Sequence, residues 1–432
     1  MQLLSSRRWR AAAASAAVLA LVLTGCSSEG SFSYTPPAQV DATLPDATVE
    51  AMQAAVDNAL TASGASGAIV GVWVPWSGSW VTASGTQGRD AGTQGRDGGE
   101  LSTDMTFRIA DVTRLMTCDV LYALADEGTV KLDAKVPKYV SGVADMKDVT
   151  LLDLCNGTSG AGSSEPTVKG ALLNTPERIW APLELAGYGL GRERVAPATT
   201  FRDSDAGYLL LGAALERATG KSASELIAEY VTEPLELSAT SLPEATPAAP
   251  GDTPLNGHYL STVEGGYDCA APVDITKISS SSGYTDSGVV SNITDLGRYV
   301  QAEAKQVLRT KEKPDRFGAP LPVSEKGPSW YQAAGGAYLA GSMIGQHGWV
   351  PGYATSAYSD PATGFTVAVV LNDSTGGSRF AQQLSWELAG IASKAPAASG
   401  QTAPEFGLPF TAEQYHEAIT KSALVCVPPA AE

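Results

Sequence analysis

Asp111 and Arg114 stand three residues apart in the run Phe107-Arg108-Ile109-Ala110-Asp111-Val112-Thr113-Arg114. A helix starting there puts both side chains on one face, where a carboxylate and a guanidinium pair through charge-assisted hydrogen bonds. The pair is poorly suited to nucleophilic catalysis. A guanidinium stays protonated at any working pH and cannot take up a proton, and a carboxylate has no hydroxyl proton to give up. Two further polar clusters are candidates for the same site: Asp203-Ser204-Asp205 and Gln346-His347-Gly348. Three carboxylates with an amide or imidazole nearby have the ligand types of a cation site, but their spacing matches no metal motif, so neither a metal nor a cofactor is expected. Hydrolysis through Ser204, Thr113 or a water held by Asp111 is the enzymatic alternative.

No Ser-x-x-Lys occurs in the 432 residues; Thr310-Lys311-Glu312-Lys313 comes nearest and lies in a charged, proline-flanked stretch that reads as surface. A Gly-x-Ser-x-Gly elbow is also missing, the near match being Gly157-Thr158-Ser159-Gly160-Ala161. The sequence contains three histidines, of which His258 and His416 read as structural or exposed.

The elements that must hold these residues follow from their patterns. A helix over 111–127 is apolar on several sides, through Leu115, Cys118, Leu121, Tyr122, Leu124 and Ala125, and should be central and buried. A second, over 204–218, ends at Thr219-Gly220, and Ser222-Ala223-Ser224-Glu225 forms a capping box for the next. Residues 68–74 and a return through Trp80 make a hairpin about Pro75-Trp76-Ser77-Gly78. Residues 353–358 and 364–371 read as paired strands, covered by a helix over 378–392 with Phe380, Leu384, Leu388 and Ile391 on one face. The hexapeptide Gly-Thr-Gln-Gly-Arg-Asp occurs twice, at 85–90 and 92–97, and reads as an expanded surface loop.

The chain opens with basic residues Arg7, Arg8 and Arg10, an apolar run over 11–23, and Leu23-Thr24-Gly25-Cys26, which resembles a bacterial lipoprotein cleavage box. Residues 1–25 are therefore expected to be a signal peptide and Cys26 a lipidated residue, with 26–42, rich in Ser, Gly and Pro, as a tether. This places the protein on the extracytoplasmic face of a bacterial membrane. The net charge of −17 argues against nucleic acid. Outside the cytoplasm, Cys118, Cys155, Cys269 and Cys426 favour disulfides.

The segment around Asp111 resembles Phe-Arg-Ile-Ala-Ser-Val-Thr-Lys of the serine β-lactamase and penicillin-binding family, which includes D-alanyl-D-alanine carboxypeptidases. Further matches are Gly128 with Leu132-Asp133, Thr158-Ser159-Gly160, residues 207–212, Pro234-Leu235 and Pro351-Gly352-Tyr353. The resemblance implies an α/β (α+β) fold over 43–395, with an antiparallel sheet flanked by helices plus an all-helical subdomain; 396–432 is left as a linker and short helix. It also implies that Asp111 replaces the serine nucleophile and Arg114 the lysine base. Asp203-Ser204-Asp205 replaces Tyr-Ser-Asn, and Gln346-His347-Gly348 replaces His-Thr-Gly or Lys-Thr-Gly with its glycine kept. A one-residue slip would restore His347 to the histidine place. The pairing preferred among three is Cys118 with Cys155 and Cys269 with Cys426, with buried free thiols as the alternative. The expected role is binding or scaffolding by a catalytically inactive member, with an envelope protein or peptidoglycan-related partner. The alternative is a divergent serine hydrolase acting on peptidoglycan peptides or small esters.

Overall fold

The computed structural model describes residues 34–88 and 99–427. The hairpin expected from the apolar run is there: β1 (Gly67–Val74) and β2 (Gly78–Gly85) pair from Gly67 opposite Gly85 to Val74 opposite Gly78. Six more strands complete the sheet: β3 (Leu321–Pro322), β4 (Tyr331–Ala334), β5 (Ala337–Ala340), β6 (Met343–Val350), β7 (Tyr353–Ser359) and β8 (Thr366–Leu371). Their order is β2-β1-β8-β7-β6-β5-β4-β3, and every neighbouring pair is antiparallel. β7 and β8 are buried along their whole length because both faces of the sheet are covered.

The covering and cleft-forming helices are α1 (Asp46–Ser63), α2 (Thr113–Glu127), α3 (Glu165–Asn174), α4 (Asp205–Thr219), α5 (Tyr284–Ser287), α6 (Ile293–Ala304), α7 (Arg379–Ala392) and α8 (Ala412–Lys421). Val70, Val72, Val367 and Val369 share one core with Met52 and Val56 of α1 and with Phe380, Leu384 and Leu388 of α7. Ile69, Ala357 and Val370 share the other with Leu115 and Leu121 of α2, Leu209 of α4 and Leu296 of α6. Each fully buried Leu or Val contributes about 1.5–3 kcal/mol of transfer free energy. The chain leaves this sheet after Gly85 and rejoins it at Leu321, and the helical subdomain is built in between. The Ser222 hydroxyl accepts from Glu225 N, closing the expected capping box. Among the described residues no helix is long and apolar enough to cross a membrane.

Both preferred disulfides are present, Cys118–Cys155 with Cα atoms 5.6 Å apart and Cys269–Cys426 with Cα atoms 5.5 Å apart. The signal peptide, Cys26 and most of the duplicated hexapeptide lie outside the described residues. Two boundaries differ from expectation. The tether expected over 26–42 is packed from residue 34 on: Tyr34 is buried with its ring 5.3 Å from the Arg298 guanidinium, and Gln39 Nε2 donates to Val74 O and Gly78 O. The tail beyond 395 is part of the core. Ile419 of α8 is fully buried near Phe410, which stacks on Trp386 of α7, and Tyr415, which meets Trp386 edge-on, so leaving α8 undocked would expose these side chains to water.

Candidate functional site

The site is built on the first turn of α2. A single 3-10 turn, Ala110–Val112, leads into the helix, and Ala110 is held at φ +49°, a conformation that costs a non-glycine residue roughly 1–3 kcal/mol. Asp111 then faces Gly348 of β6. A Cβ built at Gly348 would lie 2.2 Å from Asp111 Cγ, so only glycine lets the strand pass this close. One turn on, the buried Arg114 fork contacts three carboxylates: Asp111 Oδ2 at 3.2 Å, Asp203 Oδ1 at 2.6 Å and Asp286 Oδ1 at 2.8 Å. Its guanidinium carbon lies 4.8 Å from the centre of the Tyr208 ring.

The three motif segments read from the sequence therefore meet, with one correction. Asp205 lines the cleft as expected, without bonding Arg114. As the first residue of α4 it accepts from Ala206 N and from Ser164 N at 2.8 Å each, and also from the Ser164 hydroxyl. Gln346 is not in the cleft. Side chains alternate along β6, so Gln346 turns its Nε2 to Gly336 O at 2.8 Å while His347 lines the cleft. The Ser204 hydroxyl donates to Gly162 O at 2.8 Å, and Thr113 is fully buried with its oxygen accepting from Val289 N, so neither lines the cleft.

Asp286 and Glu165 were missed. Asp286 sits in Gly283-Tyr284-Thr285-Asp286-Ser287-Gly288, a polar run without periodicity. It reaches Arg114 because the Thr117 hydroxyl of α2 donates to Thr285 O at 2.7 Å, and Thr285 packs where Gly212 leaves room on α4. Tyr284, like Ala110, has positive φ, +42°. Strained non-glycine residues thus precede two of the three carboxylates on Arg114.

The cleft, of 230 Å³, is lined among the described residues by five carboxylates, Asp111, Glu165, Asp203, Asp205 and Asp286, and one guanidinium, Arg114. Burial and the neighbouring Asp286 and Asp203 push Asp111 well above the carboxylate range despite Arg114. Desolvation at the cleft wall acts the same way on Asp203, whose side chain is still 55% exposed, but Arg114 and the hydrogen bond it donates outweigh it, so Asp203 is lowered and ionised. Burial likewise raises Glu165, partly offset by Lys169. Burial lowers His347 to about 3, so its imidazole is neutral, with Nδ1 2.7 Å from the Tyr358 hydroxyl and its ring stacked 4.7 Å from Tyr338. Among the described residues no group of three or more His, Cys, Asp or Glu is placed to hold a metal ion. His258 is buried, and His416 is half exposed with Nδ1 2.8 Å from Glu387 Oε1.

Asp286 is pushed from 3.8 to about 6, first by burial and then by Asp205 and Asp203, against Arg114. A carboxyl raised in the folded state stabilises that state below its unfolded pKa, and the stabilisation is lost as pH rises through the folded value. The melting temperature of Asp286→Asn relative to the parent should therefore rise between pH 4 and pH 7, by the equivalent of about 2–3 kcal/mol. A difference that stays flat across that range would show that Asp286 is not raised.

The sequence profile of the Beta-lactamase family matches residues 52–389. A D-alanyl-D-alanine-carboxypeptidase/endopeptidase, AmpH of Escherichia coli (strain K12), is 31% identical over 205 residues, 46% of this chain and 49% of that protein. The chain thus matches about half the length of this curated relative. Among solved structures, a D-stereospecific amidohydrolase from Streptomyces sp. superposes with a TM-score of 0.64 at 23% identity, covering 76% of this chain and 95% of that one. The octameric penicillin-binding protein homologue from Pyrococcus abyssi superposes with a TM-score of 0.62 at 20% identity, covering 79% of this chain and 76% of that one.

Proposed function

This chain belongs to the β-lactamase family, and we propose that it serves the cell envelope as a binding or scaffolding member without acyl-enzyme chemistry. One observation carries the reading: where the family resemblance puts a lysine base next to a serine, Arg114 is locked between Asp111, Asp203 and Asp286. Those carboxylates, working against burial, hold Arg114 even more firmly protonated than a free arginine, so no base is available there. His347 is a poor base in its place, because burial lowers it to about 3. The proposal includes a lipid anchor at Cys26, placing the domain on the extracytoplasmic face of the membrane near a peptidoglycan-related or protein partner.

A divergent serine hydrolase acting on peptidoglycan peptides or small esters is the second reading. It is favoured by the Ser287 hydroxyl in the cleft and by the hydrolases among the similar proteins. Intact mass separates the two. After incubation with a penicillin and with an acyl-D-alanyl-D-alanine thioester, the mass of the soluble domain is expected to be unchanged. A stoichiometric adduct would establish the hydrolase, and peptide mapping would locate its nucleophile.

A further inference from the structure

We propose that the cleft binds a primary ammonium carried on a short apolar arm, an inference that rests on the binding reading above and names its ligand class. The first argument is the inventory of hydrogen-bonding groups. The one cation lining the cleft, Arg114, is committed to three carboxylates, whereas Asp111 and Asp286 each turn one oxygen to Arg114 and leave the other without a bonded partner among the described residues. A carboxylate ligand would meet the ionised Asp203, whereas an ammonium offers three N–H donors to the unused oxygens.

The second argument is independent of the acidic residues. Ser287 lines the cleft, is 93% buried by its 7% relative exposure, and has a hydroxyl with no hydrogen-bond partner among the described residues. A hydroxyl at the cleft wall that no protein group engages supplies a further acceptor for an ammonium proton.

The third is that the rim already holds an ammonium of the chain's own. Lys169 Nζ stands 4.4 Å over the ring of Trp349 and 3.9 Å from Glu165 Oε1, and both of those residues line the cleft. An aromatic face beside a carboxylate is a favourable place for a cation. Val168, Leu172 and Leu185 also line the cleft and give it apolar surface for the arm.

Calorimetric titration at low salt with hexylamine, hexanol and hexanoate tests this on the unaltered protein. Hexylamine is expected to bind about tenfold or more tightly than hexanol, with hexanoate weakest. The double variant Asp286→Asn with Ser287→Ala should lose that preference, and Lys169→Ala, which frees Trp349 and Glu165, should strengthen hexylamine binding. Comparing hexylamine with Nα-acetyl-lysine methylamide separates a small free amine from a peptide amino side chain. Equal binding of the three hexyl probes, or no binding of either amine, would overturn the proposal even if every variant failed to fold. A penicillin adduct would remove the binding reading without touching the amine preference, so the two failures are distinguishable.

Discussion

The double reversal Asp111→Ser with Arg114→Lys is expected to leave hydrolysis of a chromogenic cephalosporin at the uncatalysed rate, and to destabilise the domain. Restoring the nucleophile and the lysine restores two residue types but not their surroundings. A lysine at 114 would sit between Asp203 and Asp286, which reach Arg114 at 2.6 Å and 2.8 Å. Carboxylates that close favour the charged ammonium, and a protonated lysine cannot accept the serine proton. Catalytic groups that act as a unit fail as a unit, so a serine without its base retains several orders of magnitude less turnover than a complete site. Stability should fall by about 1–3 kcal/mol, because one ammonium cannot reproduce a planar fork that serves three partners. Thermal melting measures the second effect. Cephalosporin turnover above background would show that Asp203 and Asp286 do not hold the lysine, and would reopen the enzymatic reading.

How far the site could be read in advance follows from which contacts are local. Asp111 and Arg114 share a helix turn, and the glycine of Gln346-His347-Gly348 is needed because β6 passes against Asp111, so motif and register survived together. The hairpin of β1 and β2, the pair β7 and β8, and the capping box at Ser222 are legible for the same reason: periodicity of two, turn residues and a three-residue polar spacing are local signals. Asp286 left no such trace. It lies 172 residues from Arg114, and nothing in a polar run between glycines says which charge it will meet. Gln346 was misplaced because a one-residue step along a strand reverses the face, and composition alone does not fix that step. The tail and residues 34–42 have the composition of linkers, yet single anchors, Ile419 and Tyr34, are enough to dock them.

Another buried arginine, Arg316, lay further still from any local signal. Arg316→Leu is expected to cost about 3–5 kcal/mol, the larger part of the stability of an ordinary domain. Arg316 is fully buried, with Nη1 2.6 Å from Asp119 Oδ1 of α2 and 2.5 Å from Glu303 Oε1 of α6. Its other donors reach Gly335 O and Leu115 O at 2.8 Å and 2.9 Å. Gly335 and Gly336 form the two-residue turn between β4 and β5, both at positive φ, and a Cβ on Gly336 would lie 2.9 Å from Cys118 Sγ and 3.2 Å from Arg114 O. Arg316 therefore fastens α2, α6 and that turn together one helical turn below the carboxylate cluster. Removing it leaves Asp119 facing Glu303 in the interior, with the Tyr299 hydroxyl 2.7 Å from Asp119 Oδ2 as a remaining donor. Burial already raises Glu303, so it can stay protonated, and the loss should fall toward the lower end of the range. Urea denaturation measures the cost. Adding Asp119→Leu and Glu303→Leu to the variant should recover part of it, because no uncompensated charge then remains inside. A single variant as stable as the parent would mean that α2 is positioned by its apolar faces alone, and that the carboxylate cleft above it does not depend on this ion network.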